Sequence, residues 1–242
     1  MWNIVAEFWF VFLDAMKMYD RCQPRTGSLT LDDVSVDLKW GYLELLEMSA
    51  TVKGLVNYFI DILQNAYSLT RASVTLDRVS NNPHLFLSPD CKSVTWTPEP
   101  EVQYTWHRRF NRMSCVVGCQ TFAIGRHFWE VGVKGLGDWA VGVARSSVKR
   151  KGLFSLCAEE GVFAVGKLEQ QYKVFSIPHA LLLPLDGELR WIGVSLNCFA
   201  GQVNFYDMAR ATRIFGFTEI GCFQEPFLPF FWLGGPAELI II

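Results

Sequence analysis

The chain has 242 residues, of which half are hydrophobic, 14% aromatic and 19% charged. That excludes a disordered polymer and leaves room for one large domain, or a medium domain with an extension. Its 22 Lys and Arg against 24 Asp and Glu give a formal charge of −2, so bulk electrostatics name neither nucleic acid nor an anionic membrane as the partner. Seven cysteines, an odd number in a chain this size, fit a reducing, cytoplasmic setting better than a disulfide-stapled secreted scaffold.

Two patterns meet near residue 71. The first apolar run, Trp2 to Leu13, is interrupted by Glu7 and is too short for a membrane span, which needs about 20 residues. It also lacks the basic start and small-residue cleavage site of a secretory signal. The spacing predicts a helix over about Asn3 to Arg21, apolar on nearly every side through Trp2, Phe8, Trp9, Phe10 and Phe12. Such a face points to self-association or to a missing upstream segment.

A second helix follows, with Ser35 as its expected N-cap and Asp37 near its positive end. Leu38, Tyr42, Leu45, Ser49, Val52, Val56, Phe59 and Leu63 recur at spacings of four and three and form a heptad-like seam. Gly41 and Gly54 inside it make the helix dependent on packing, either on its own domain or in a dimer.

From Ala72 onward short β-rich runs alternate with Gly, Pro and Asn. His127–Val133 and Asp138–Ala144 read as a hairpin around Lys134-Gly135-Leu136-Gly137. Period-two alternation puts Trp129, Val131 and Val133 on one face, and Trp139, Val141 and Val143 on one face of the partner, so that two apolar rows meet in one core. Further strands are predicted at 73–76, 84–87, 93–96, 162–166, 172–175, 189–196, 202–206, 214–217, 229–233 and 238–242. Many short strands without alternating helices imply stacked antiparallel sheets.

These segments carry a resemblance. Val74-Thr75-Leu76-Asp77, Asn82-Pro83-His84-Leu85 and Leu87-Ser88-Pro89-Asp90 resemble the opening of PRY/SPRY domains. Gly125-Arg126-His127-Phe128-Trp129-Glu130-Val131, Trp139-Ala140-Val141-Gly142-Val143-Ala144, Val148-Lys149-Arg150-Lys151-Gly152, Gly193-Val194-Ser195-Leu196-Asn197 and Gly201-Gln202-Val203-Asn204-Phe205-Tyr206-Asp207 are similar to its later motifs. The order is kept across residues 72–242. One departure is Leu196-Asn197-Cys198-Phe199, where the family often has two carboxylates after the leucine.

Phe12-Leu13-Asp14-Ala15-Met16-Lys17, Arg21-Cys22 and Val34-Ser35-Val36-Asp37-Leu38-Lys39 resemble the coiled-coil end and linker helix that precede PRY/SPRY in tripartite-motif (TRIM) ubiquitin ligases. Butyrophilins, the second choice, share the β-domain but reach it through a transmembrane segment.

The resemblance implies a mainly β fold, a two-sheet antiparallel β-sandwich of the SPRY, concanavalin-like jelly-roll kind, with an N-terminal α-helical extension. The expected division is 1–71 helical and 72–242 PRY/SPRY, with PRY over about 72–120 and SPRY over about 121–242. It also implies a substrate-recognition module that binds a protein or peptide and needs no cofactor, while the apolar N-terminal helices offer a homodimer contact as one of two readings. Carried over by motif, the ligand-binding positions are Trp139, Ala140, Gly166, Lys167, Leu168, Tyr172, Lys173, Phe199 and Trp232. Relatives that bind charged ligands often have a polar residue after the equivalent tryptophan, so Ala140 implies a flat, apolar pocket. Periodicity alone leaves Trp139 and Trp232 as core or pocket.

Catalysis finds no support. A RING needs paired zinc sites with spacings such as C-x-x-C, and none occurs here. Cys115 and Cys119 read as buried, unliganded thiols on one strand face. No serine sits in a nucleophile elbow, His127 falls in a fold motif, and Gly132, Gly135 and Gly137 are turn glycines rather than a phosphate loop. Lys149-Arg150-Lys151, with Arg145 just before, is the one cationic cluster. It reads first as a solvated loop and second as a contact for RNA phosphate or an acidic peptide. Two other classes are a carbohydrate-binding sandwich, for which no aromatic platform or acidic metal site is located, and a structural dimerisation protein.

Overall fold

A computed structural model describes residues 52–54, 69–100, 107–176, 180–185, 187–221 and 224–242. The chain divides into two compact units, Met1–Phe59 and Ile60–Ile242. In the first, residues 52–54 are helical and exposed. The Asn3–Arg21 helix, the Ser35 cap and the rest of the Leu38–Leu63 seam lie outside the described residues, and so does the homodimer contact expected there. No helix among the described residues is long and apolar enough to cross a membrane.

In chain order the second unit holds β1 (Leu69–Arg71), β2 (Leu85–Leu87), β3 (Ser93–Trp96), β4 (Cys115–Val117), β5 (Arg126–Gly135), β6 (Trp139–Arg145), β7 (Val162–Leu168), β8 (Gln171–Val174), β9 (Leu181–Leu182), β10 (Trp191–Asn197), β11 (Gln202–Asp207), β12 (Thr212–Phe217), β13 (Phe227–Leu233) and β14 (Ala237–Ile241). They build two sheets. One has eight strands, ordered β12-β11-β10-β5-β14-β3-β2, with β1 beside β5; the other has six, ordered β4-β13-β6-β7-β8-β9. The long β5 meets β10 along one edge, while β1 and β14 share the other.

Alternation decides which side chains point between the sheets. In β11 Val203, Phe205 and Asp207 are buried while their neighbours are half-buried, and in β14 Ala237, Leu239 and Ile241 repeat the pattern. Trp129, Trp139, Phe205, Phe227 and Phe231 fill the space between the layers. A second apolar cluster covers the outer face of the six-stranded sheet. It joins Ala140, Ala144, Val162, Ala164 and Phe230 from the strands to Phe110, Val148, Phe154 and Leu156 from flanking loops. The mainly β sandwich is therefore as expected.

Three local readings are corrected. The segments 127–133 and 138–144 are strands but not a hairpin, because β5 pairs with β10, β14 and β1 whereas β6 pairs with β13 and β7. Residues 136–138 form an arch from one layer to the other, so the two apolar rows face each other across the core instead of lying side by side. A hairpin and an arch place the same residues inward, which is why alternation does not separate them. Residues 73–76 contribute only an isolated bridge, Leu76 with Gly118, and the strand lies earlier, at β1, where a helical pattern was read. Finally, Cys115 is buried in β4 while Cys119 is exposed beyond the strand's end, so the two thiols do not share a face.

A buried carboxylate closes the β11–β12 turn. Asp207, 3% exposed, accepts from the backbone N–H of Ala209 at 2.9 Å and of Arg210 at 3.1 Å, and its Oδ2 lies 2.6 Å from Arg210 Nη1. Burial alone would raise its pKa, but the Arg210 side chain and the two amides together hold it below the ordinary value. A depressed folded-state pKa contributes stability that is present above the unfolded-state value, about 3.9, and is lost as pH falls through the folded one. Asp207→Asn is therefore expected to destabilise the domain by about 1–3 kcal/mol at neutral pH. The difference from wild type should vanish in strongly acidic denaturation series; a difference that persists there would assign the loss to packing.

Candidate functional site

β6 organises the candidate residues because it lies between β13 and β7. Ala140 is paired with Trp232 on one side and with Gly166 on the other, and Gly166 with Lys173. Directly paired residues in an antiparallel ladder point to the same face, so Trp232, Ala140, Gly166 and Lys173 form one row on the outer face of the six-stranded sheet. The next row, Leu233, Trp139, Lys167 and Tyr172, points inward. Leu168 joins the outer cluster with Trp232.

The two tryptophans thus separate. Trp139 is 1% exposed and belongs to the inter-sheet core, with its ring centroid 6.4 Å from that of Tyr172. Trp232 is half-buried on the outer face, where Phe175 meets it edge-on at 6.0 Å. The Phe175 amide is tied to the Ala164 carbonyl at 3.0 Å, which fixes that ring beside the row. Ala140 and Gly166 are buried, so they form a floor, with the half-buried Trp232, Leu168 and Lys173 around it. Lys173 Nζ reaches Glu169 Oε2 at 3.3 Å. The Tyr172 hydroxyl accepts from the Leu189 N–H at 2.8 Å, which occupies it within the fold. Phe199, 42% exposed, lies in the β10–β11 turn of the other sheet and in neither row. In that turn Asn197, the departure noted above, accepts from the Ala200 N–H at 3.1 Å.

The remaining candidates are structural in their contacts. His127 stacks on Phe122 at 4.2 Å, with Nε2 2.7 Å from the Ile124 carbonyl oxygen. Burial pushes the Cys115 thiol well up, away from the thiolate that nucleophilic or metal chemistry needs. Among the described residues no group of three or more His, Cys, Asp or Glu could hold a metal ion.

Sequence reasoning missed one surface and half of another. Trp191, 39% exposed, covers Gly132 on the outer face of the eight-stranded sheet, beside Lys134, Arg190 and Ile240, in a groove of about 410 Å³. Its lone position in a strand-edge sequence gave no signal. The other surface adds the loop before β4, with Arg108 and Arg112, to the Lys149–Lys151 loop after β6.

The sequence pattern of the SPRY-associated domain, PRY, matches residues 74–122, and that of the SPRY domain matches residues 126–242. The chain belongs to the PRY/SPRY family. Butyrophilin subfamily 1 member A1 of Homo sapiens is 37% identical over 176 residues, covering 72% of this chain and 33% of the butyrophilin. The E3 ubiquitin-protein ligase TRIM58 of Mus musculus is 34% identical over 176 residues, covering 71% of this chain and 35% of the ligase. The chain thus spans about a third of the length of these curated relatives. The crystal structure of the TRIM65 PSpry domain matches with a TM-score of 0.63 at 22% identity, over 76% of this chain and 95% of that one, a likeness of fold. This PRY/SPRY domain is a protein-interaction module, since SPRY domains bind protein or peptide ligands.

Proposed function

We propose that this PRY/SPRY domain is the substrate-binding part of a TRIM-like ubiquitin ligase and that it takes a protein segment on the outer face of the six-stranded sheet. The observation that carries the reading is the Trp232–Ala140–Gly166–Lys173 row: a small buried floor between a half-buried indole and a lysine, held on four paired strands. A rigid scaffold presenting an aromatic anchor suits protein recognition, because little order is lost on binding. The kinship with TRIM58 supports the ligase setting, and ubiquitin transfer itself is assigned to a RING outside these 242 residues. Ala140 leaves no charge after Trp139, which favours an apolar peptide contact over a small phosphorylated metabolite.

The test is capture of partners by the wild-type chain and by Trp232→Ala, followed by the ubiquitination level of each captured partner in cells. A partner recognised here is expected to lose about thirtyfold in affinity for Trp232→Ala, the loss of one aromatic anchor, and to be less ubiquitinated when the protein is depleted. Partners retained by the variant would move recognition to another surface. Unchanged ubiquitination of a true partner would remove the ligase role and leave the binding role standing.

A further inference from the structure

Two loops far apart in sequence are sewn into one cationic surface. Residues 107–113 carry Arg108, Arg109 and Arg112; residues 148–157 carry Lys149, Arg150 and Lys151; neither stretch contains an Asp or Glu. The Asn111 N–H donates to the Arg150 carbonyl at 3.2 Å, the Gly152 N–H to Asn111 Oδ1 at 2.8 Å, and Lys151 Nζ to the Arg109 carbonyl at 3.0 Å. The Arg150 guanidinium lies 4.5 Å from the centre of the Phe110 ring, and its buried Nη1 has no hydrogen-bond partner among the described residues. Burial, with Arg108 adding to it, holds the Arg150 pKa below the ordinary arginine value, as expected where like charges crowd. Arg108, Arg112, Lys149 and Lys151 are exposed around this centre, and Asp77, 3.7 Å from Arg108, offsets only part of their charge.

We infer that the joined loops 107–113 and 148–153 form a docking surface for an acidic peptide segment of a protein partner. Charge complementarity sets the sign of the occupant. Phe110 and Phe154 are buried, so among the described residues of the loops only the exposed His107 imidazole is open to a nucleic-acid base, against four exposed cations that suit a carboxylate-rich peptide. Leu153 is instead 67% exposed beside the cations, a contact that an apolar side chain within an acidic stretch would cover. Phe110 and Phe154 belong to the same outer cluster as Trp232 and Leu168, which puts both surfaces on one face of the domain. The inference rests on the protein-binding reading for the class of occupant only, and variants of Trp232 and of these cations test the two surfaces separately.

The measurement is fluorescence anisotropy on the full chain with three probes: a labelled glutamate-rich peptide with one central leucine, its glutamine counterpart, and an oligouridylate of equal charge. The glutamate peptide is expected to bind, and to weaken as ionic strength rises from about 0.05 to about 0.5 M because exposed pairs are screened. Arg112→Glu combined with Lys149→Glu should cost roughly tenfold in affinity, and Arg112→Glu alone a smaller factor. Lys134→Glu, on the other sheet, should change nothing, and thermal unfolding of each variant confirms that it folds. Equal binding of the glutamine peptide, unchanged affinity in both Arg112 variants, or no binding of the glutamate peptide would overturn the inference. Tighter binding of the oligouridylate than of the glutamate peptide would reassign the surface to nucleic acid.

Discussion

Trp139→Ala is expected to lower the unfolding free energy by about 3–5 kcal/mol, in the range of large-to-small aromatic substitutions in cores. The ring is 1% exposed, lies in the inter-sheet cluster with Trp129 and Phe231, and sits opposite Leu233 in the ladder with β13. Its removal leaves a void between two sheets that are held by paired strands, and a paired strand cannot collapse inward without breaking its ladder. The loss should appear as a lower denaturant midpoint with an unchanged slope. A fall below about 1 kcal/mol would mean that the ring is not part of the core. The consequence for function is direct: a binding defect in Trp139→Ala reports loss of the fold, whereas one in Trp232→Ala, from the outer face, reports loss of a contact.

How far the sequence carried this distinction follows from what periodicity encodes. The period of two in Trp139-Ala140-Val141-Gly142-Val143-Ala144 separates the residues of the two faces, and the structure places Trp139, Val141 and Val143 together in the inter-sheet core, with Ala140 and Ala144 in the outer cluster. Periodicity does not encode which strand lies alongside. The arch at 136–138 therefore reads as a hairpin, and the partner of β6 turns out to be β13, nearly 90 residues on. Trp232 stayed ambiguous for the same reason, since its exposure depends on Phe175 from β8's end and on loops that no local pattern connects to it. The cationic surface was half legible: Lys149-Arg150-Lys151 is plain in the sequence, but its union with Arg108, Arg109 and Arg112 depends on hydrogen bonds made by Asn111 and Gly152 some 40 residues apart. Motif order across residues 72–242 conveyed the fold as a whole because each motif fixes a strand and a turn, even where the strand's neighbour was misread.

Gly142→Ala and Gly166→Ala are each expected to destabilise the domain by about 3 kcal/mol or more, the upper range for overpacking. A Cβ on Gly142 would overlap the Phe163 carbonyl oxygen and lie 2.8 Å from Ala164 Cα; one on Gly166 would overlap the Trp139 carbonyl oxygen and lie 2.7 Å from Ala140 Cα. In both cases the obstacle is the backbone of the neighbouring strand, which no rotamer change can clear, so β6 and β7 would have to move apart along the ladder between them. Gly235→Ala provides the contrast. Its Cβ would come no closer than 3.7 Å to Gly137 Cα, an ordinary contact, so its effect should stay within about 0.5 kcal/mol. Denaturation of the three variants checks the order, and similar losses in all three would show that the β6–β7 approach is not what the glycines protect. Because Gly166 is also the floor between Ala140 and Lys173, its residual folded population should bind partners more weakly than Gly142→Ala at equal stability. On the proposed binding face, the glycine that lets the two strands approach would then also set the depth of the floor beside Trp232.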